Sequence, residues 1–262
     1  MTAERFIRDD GTQPAVSASP GRSPEIEQGK GLIDTGARRV RVDMHTHSEA
    51  SPDSRTKVAD QAQAIRAAGL DVVCATDHNT ILGALRLREI ADGFRVIVGE
   101  EISSRDGEII GLFLESAVPR DLSGEETIAR IHDQGGLVVV PHPFSINRRY
   151  HMRRASLDRL RTKIDALEVF NAREAIFLNN RAAAAYAKEH GILGTAGSDA
   201  HRASEIGRAW VEMPDFAGRA DFLAALREGV AHGRLSGTAV HVFTRYDRLR
   251  KWLGRKSSSA TR

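Results

Sequence analysis

"RVDMHTHSEASPDS" spans residues 41–54: an apolar run closes on His45 and His47, and Asp53 follows. In an extended chain residues i and i+2 point the same way, so His45 and His47 can hold one cation together. The arrangement recurs. "VVCAT" leads into Asp77-His78, "VIVG" into Glu100-Glu101, "LVVVP" into His142-Pro143, and "GTAGS" into Asp199-Ala200-His201. One HxH pair is weak, since a lone histidine on an apolar face is usually a satisfied core residue. The coincidence is what carries weight: of 10 histidines, five fall directly at the ends of apolar runs.

Working outward, short β-branched runs alternate with stretches of helical spacing. The runs are 39–44, 71–76, 95–102, 108–114, 136–141, 166–170, 192–197 and 209–213. Helices are predicted in "VADQAQAIRAAG", "ILGALRLREIADG", "EETIARIHDQGG" and "NNRAAAAYAKEHG", with Gly69, Gly93, Gly135 and Gly191 as stop signals. Such alternation points to a parallel α/β sheet or barrel. In a barrel the C-terminal strand ends gather at one mouth, which would bring these polar groups together. Burying so many ionisable groups without partners is costly. A metal cluster removes that cost, because imidazole and carboxylate are ligands that Zn²⁺, Mn²⁺ and Fe²⁺ favour. Asp77, just past its strand, is expected to orient an imidazole or a water from behind.

The ordered motifs "HTH" with downstream "SPDS", "TDHNT", "GEEIS", "PHP" at 141–143 and "GSDAH" at 197–201 resemble the PHP domain (polymerase and histidinol phosphatase) of metal-dependent phosphoesterases. The resemblance covers roughly residues 40–230. It implies an α/β fold, a distorted (β/α)7 TIM-like barrel, as a single domain with flexible termini. It also implies two or three divalent ions: Mn²⁺, Zn²⁺ or Fe²⁺, with Mg²⁺ admissible. His45, His47 and Asp199 match the ligands of one ion, Asp53, His78 and His201 those of another, and His142 the ligand of the remaining one. Glu101 matches the bridging carboxylate, which leaves Glu100 as the variable residue. Relatives often carry a further histidine where this chain has Glu108, a departure that bears on the geometry and metal preference of that ion. Eight of nine ligand positions are kept, with a ligand-capable residue at the ninth.

The reaction so implied is in-line attack of metal-bound hydroxide on the phosphorus of a phosphomonoester or phosphodiester, with Asp77, His78, Glu101 and Asp199 as the catalytic set. The substrate expected from the resemblance is a small phosphorylated metabolite, a nucleotide or a short oligonucleotide. Aromatic residues make up 5% of the chain, and no stacking pattern for an extended nucleic-acid groove shows. Arg148, Arg149, Asn171, Arg173 and Arg202 are candidate substrate contacts, while Glu168 is read as support for the barrel wall. No GxSxG, GxxxxGK[ST] or strand-linked GxGxxG motif occurs. Two alternatives stand beside this reading: an amidohydrolase-type enzyme using the same metals, and a non-catalytic PHP scaffold.

At 262 residues, 41% hydrophobic and 28% charged, with net charge +3, the chain suits one large domain with tails. No run of eighteen apolar residues and no secretory pattern are present, so a cytoplasmic, non-membrane protein is expected. The single cysteine, Cys74, lies in "DVVCAT" and reads as a buried thiol in a reducing compartment. Residues 1–38 are polar and rich in Gly, Pro and Ser, and are expected to be disordered. The domain runs over 39–240. The basic tail 241–262 holds seven Arg or Lys against one Asp, and reads as a solvated helix with weak contact to nucleic acid or acidic lipid as the alternative.

Overall fold

In the computed structural model, which describes residues 7–8, 38–145 and 150–237, the apolar runs become staves of one curved sheet. Its strands are β1 (Ile7–Arg8), β2 (Arg39–Thr46), β3 (Val72–Ala75), β4 (Arg95–Ser104), β5 (Gly107–Leu112), β6 (Leu137–Val140), β7 (Ala166–Asn171), β8 (Leu193–Gly197), β9 (Ala209–Pro214) and β10 (Val230–Gly233). The order is β1-β10-β9-β2-β3-β4-β5-β6-β7-β8. Strands β2 to β8 therefore stand in chain order as a ring of seven. The ring nearly closes where Thr46 and Ala200 form a parallel bridge and Asp199 N donates to His45 O at 2.7 Å.

Not every stave is parallel. β5 runs antiparallel to both β4 and β6. The reason is local: two residues, Arg105 and Asp106, join β4 to β5, and a parallel partner needs a crossover of a dozen or more. The eighth apolar run, β9, pairs antiparallel with β2 outside the ring, and β10 extends it.

Helices α1 (Val58–Ala67), α2 (Leu82–Glu89), α3 (Gly124–Asp133) and α5 (Phe177–His190) lie where the spacing predicts them. Their four stop glycines all have positive φ. Two short helices without a marked sequence signal, α4 (Arg154–Leu160) and α6 (Arg219–Arg227), are also present among the described residues. Ile65, Leu87, Ile131, Leu157, Leu160 and Phe222 from these helices are fully buried against the sheet. All four residues of β3 are buried, Cys74 among them, and burial pushes its thiol pKa well up, so it is a packing residue. No helix among the described residues is long and apolar enough to cross a membrane.

The stretches read as tails, residues 1–38 and 241–262, lie outside the described residues, apart from Arg38 and from Ile7–Arg8, which pair parallel with β10.

Helix α3 starts with a complete capping box. Ser123 Oγ accepts from Glu126 N at 3.2 Å, while Glu126 Oε2 accepts from Ser123 N at 2.9 Å. Ser123→Ala is expected to cost about 1 kcal/mol, read as a Tm lower by about 2–4 °C in thermal unfolding with metal content unchanged.

Candidate metal centre

The barrel mouth collects the polar strand ends. His45 is the next-to-last residue of β2 and His47 lies just past it, His78 follows β3, and His142 follows β6. Asp199 and His201 follow β8. His142 (φ 28°) and Asp199 (φ 51°) hold left-handed backbone conformations that non-glycine residues adopt at a cost, and such strain concentrates at functional sites. Glu108 reaches the mouth by another route. It lies at the start of β5, which in a parallel strand would be the barrel floor. Because β5 runs backwards, its start is at the mouth, and the register pairs Glu108 with Ser103 and Glu101 with Ile110. Glu101 and Glu108 are thus diagonal neighbours on one face.

Glu101 is the hub. Its Oε1 lies 3.0 Å from His142 Nε2, and its Oε2 is 3.1 Å from His78 Nδ1 and 3.4 Å from both His45 Nε2 and His47 Nε2. Asp199 Oδ1 is 3.3 Å from His47 Nε2 and 3.8 Å from His45 Nε2. Asp53 Oδ1 is 3.3 Å from His201 Nε2 and 3.6 Å from His78 Nε2. Glu108 stands 3.8 Å from His78 Nδ1 and 3.9 Å from His142 Nε2. All nine residues expected as ligands therefore face one cavity. Their ligand atoms form overlapping triplets: His47/His78/His201, His45/His47/Glu101, His45/His142/Asp199 and His78/Glu101/Glu108.

Outer contacts decide which ring nitrogen faces inward. His201 Nδ1 donates to the Asp199 carbonyl at 2.9 Å. Ser51 Oγ gives its proton to Asp77 Oδ1 at 2.6 Å, so it accepts from His47 Nδ1 at 3.2 Å. His45 Nδ1 donates to Glu168 Oε1 at 3.1 Å. Each ring therefore turns Nε2 inward, and the Nε2 atoms of His45 and His47 sit only 3.0 Å apart, a contact that needs a metal ion or a shared proton between the two nitrogens. Glu101 Oε2 is buried and accepts no hydrogen bond among the described residues. The donor set thus fits divalent ions, since neutral imidazoles and carboxylates held by outer partners are what such ions take.

Without ions the charges pull in opposite directions. Burial would raise the pKa of Glu101, but His78, His45 and His142 hold it well below the carboxylate range. Burial would lower His45, but Asp199, Glu101 and Glu168 hold it well above its ordinary value. His47 falls to about 3, through burial and then the neighbouring His201.

Several sequence-based roles need correction. Asp77, expected both to orient an imidazole or a water from behind and to join the catalytic set, is engaged behind the site by Ser48 N (2.7 Å), Ser48 Oγ (2.6 Å) and Ser51 Oγ, which matches only the first of these roles. A Cβ on Gly83 would overlap Asp77 Oδ2 and Ser48 Oγ, so glycine lets α2 seat against this carboxylate. Asp77 therefore acts on His47 through Ser51. Asn171, expected to contact substrate, is fully buried. Its amide donates to Glu168 Oε2 (2.9 Å) and Asp199 Oδ2 (3.2 Å). Arg173 is also buried, with Nη1 3.4 Å from the Asp199 carbonyl and 3.5 Å from Glu205 Oε2. Its place is under the Asp199 loop. Arg202 is half-buried beside His201. Arg148 and Arg149 lie outside the described residues. Glu100 points away from Glu101, accepting from Val118 N at 2.7 Å, and burial pushes it up to about 7.

Two residues escaped the sequence reading. Ser51 sits between Asp77 and His47. Glu168 is more than wall: besides His45 it accepts from His142 N at 2.7 Å. The signal was a carboxylate inside an otherwise apolar strand. What hid its direction is a register shift between Glu168 and Phe170, which breaks the alternation.

Residues 177–231, from α5 to β10 and including Asp199 and His201, match a family model described as PHP-associated. An uncharacterized protein of Methanocaldococcus jannaschii is 38% identical over 146 residues, 51% of this chain and 82% of the relative. A two-domain protein of Bacteroides vulgatus, described as containing a predicted PHP-like metal-dependent phosphoesterase, superposes with TM-score 0.64 at 18% identity, over 82% of this chain and 70% of that one. An amidohydrolase of Chromobacterium violaceum, solved with sulfate and no metal, gives 0.56 at 16% identity, over 72% and 97%.

Proposed function

The chain belongs to the PHP family, and from that membership we propose that it is a metal-dependent hydrolase of phosphoric ester bonds acting on a small phosphorylated molecule or short oligonucleotide. The observation that carries the reading is the hub at Glu101, where imidazole nitrogens and carboxylate oxygens converge within 3.0–3.4 Å. Two or three ions, with Mn²⁺, Zn²⁺ and Fe²⁺ favoured, would be held by His45, His47, Asp53, His78, Glu101, Glu108, His142, Asp199 and His201. Bound there, they would supply Lewis acidity, making a water acidic and neutralising charge on phosphoryl oxygens.

The chain contributes orientation and access. Glu168, Ser51 and the Asp199 carbonyl hold the Nδ1 protons of three imidazoles and keep their Nε2 atoms aimed at the cavity. His78 is the most open of the nine, its side chain 14% exposed, with Glu108 next at 9%. These two mark the side from which a substrate enters. Four carboxylates line the cavity, so a phosphate ester is repelled until cations outweigh them; metal and substrate binding are coupled.

The amidohydrolase alternative uses the same residues, and the likeness to the Chromobacterium protein keeps it in view. Elemental analysis followed by turnover of aryl phosphates, nucleotides and acyl amides with the metals found separates the two. Phosphate release that a chelator abolishes and metal restores is the expected result. Turnover of the amide alone would overturn the proposal.

A further inference from the structure

We infer that Glu168 is a positioning residue that fixes the tautomer of His45 and ties His45, His142 and Asp199 into one unit, so that these three candidate ligands are arranged or lost together; this rests on the metal reading of the site. The geometry is specific. Glu168 Oε1 takes the Nδ1 proton of His45 (3.1 Å). Its Oε2 takes the backbone N–H of His142 (2.7 Å) and one amide proton of Asn171 (2.9 Å). Asn171 also donates to Asp199 Oδ2 at 3.2 Å. One carboxylate thus reaches a ligand from β2, the loop after β6 and, through one amide, the loop after β8.

Asn171 is itself held. Its N–H donates to Asn180 Oδ1 (3.0 Å), its carbonyl accepts from Asn180 Nδ2 (3.1 Å), and its Oδ1 accepts from Arg173 N (2.9 Å). The unit is therefore braced against α5, a rigid element, and not against a loop. Glu168 is 2% exposed and Asn171 0%. A carboxylate that far from water is costly, and three donors from separate parts of the ring repay the cost through charge-assisted bonds. A carboxylate on the far nitrogen of an imidazole also makes the near nitrogen more basic toward a cation, which ordinary wall packing would not require.

The test compares the native chain with Glu168→Gln and Asn171→Ala. In Glu168→Gln one oxygen becomes an NH₂ group, so the three donors now share one acceptor. Two readouts are taken: Zn²⁺ affinity by competition with a chromogenic chelator, and histidine ring tautomers by ¹H–¹⁵N correlation on Zn²⁺-saturated protein. Glu168→Gln is expected to weaken Zn²⁺ binding about 10–100-fold and to turn the His45 ring from one tautomer, protonated on Nδ1, to a mixture. Asn171→Ala, which leaves His45 untouched, is expected to weaken Zn²⁺ in the same direction by a smaller factor, and serves if Glu168→Gln does not fold. Zn²⁺ affinity within twofold of native in the variants overturns the inference. So does weaker binding with the His45 tautomer unchanged in Glu168→Gln, which would reduce Glu168 to packing. A native chain that binds Zn²⁺ but hydrolyses no phosphate ester defeats the proposed function and leaves this inference standing. One that binds no Zn²⁺ defeats the metal reading and this inference together.

Discussion

Glu101→Gln is expected to leave a folded protein that has lost its divalent ions and hydrolyses phosphate esters about 10³-fold more slowly, the equivalent of about 4 kcal/mol of lost Lewis-acid stabilisation. Four imidazoles lie within 3.4 Å of its two oxygens, so the amide removes the shared anion from every triplet it joins. It also turns an N–H toward lone pairs that need a cation. The neighbouring Glu100→Gln is the matched control. Its carboxyl faces the other side of β4, already titrates near pH 7, and touches Val118 N, so metal content and turnover should stay within twofold of native. Metal analysis and steady-state rates on the two proteins decide the matter. Native metal content in Glu101→Gln, or equal losses in both variants, would remove Glu101 from the centre.

The contrast between these adjacent glutamates shows what a linear reading can recover. Position along the chain was legible wherever chemistry closed an apolar run: His45, His47, His142, Asp199 and His201 sit at strand ends and Glu101 inside β4, and all converge. Strand direction was not, because apolar runs carry no sign of whether their neighbours run with them. The parallel expectation held for β2–β3–β4 and β6–β7–β8 but failed at β5. That one reversal is what carries Glu108 to the mouth.

Function within a strand was harder still. Glu168 and Asn171 belong to one strand, β7, and the bulge between Glu168 and Phe170 removes the alternation that would have shown both facing the site. Ser51 has no sequence signature beyond standing in "SEASPDS". Its role follows from a hydroxyl that must donate to Asp77 and can therefore only accept from His47. Standing at the end of a strand at the mouth, Asn171 and Arg173 look from sequence like substrate contacts. Burial and hydrogen bonds to the residues behind the ligands, which only a folded chain reveals, place them underneath it.

Gly197 is where fold and site press against each other most closely. It ends β8 at the seam that closes the ring, and a Cβ there would overlap His45 Cβ and lie 2.9 Å from both His45 N and Glu168 Oε1. Backbone on one side and a buried carboxylate on the other leave no soft atom to give way. Gly197→Ala is therefore expected to cost about 1–3 kcal/mol through overpacking, lowering Tm by about 2–4 °C per kcal/mol, and to weaken metal binding as well, because the strain falls on the His45–Glu168 pair. Gly194, three residues earlier on the same strand, supplies the comparison. Its added Cβ would meet the Val169 side chain, nearest atom 2.9 Å, and no candidate ligand. Gly194→Ala should lose stability while keeping native metal affinity. Thermal unfolding in chelator together with Zn²⁺ competition separates the two effects. If Gly197→Ala lost only stability, β8 would not be pressing on the ligand pair, and the coupling of barrel closure to the metal centre would fall.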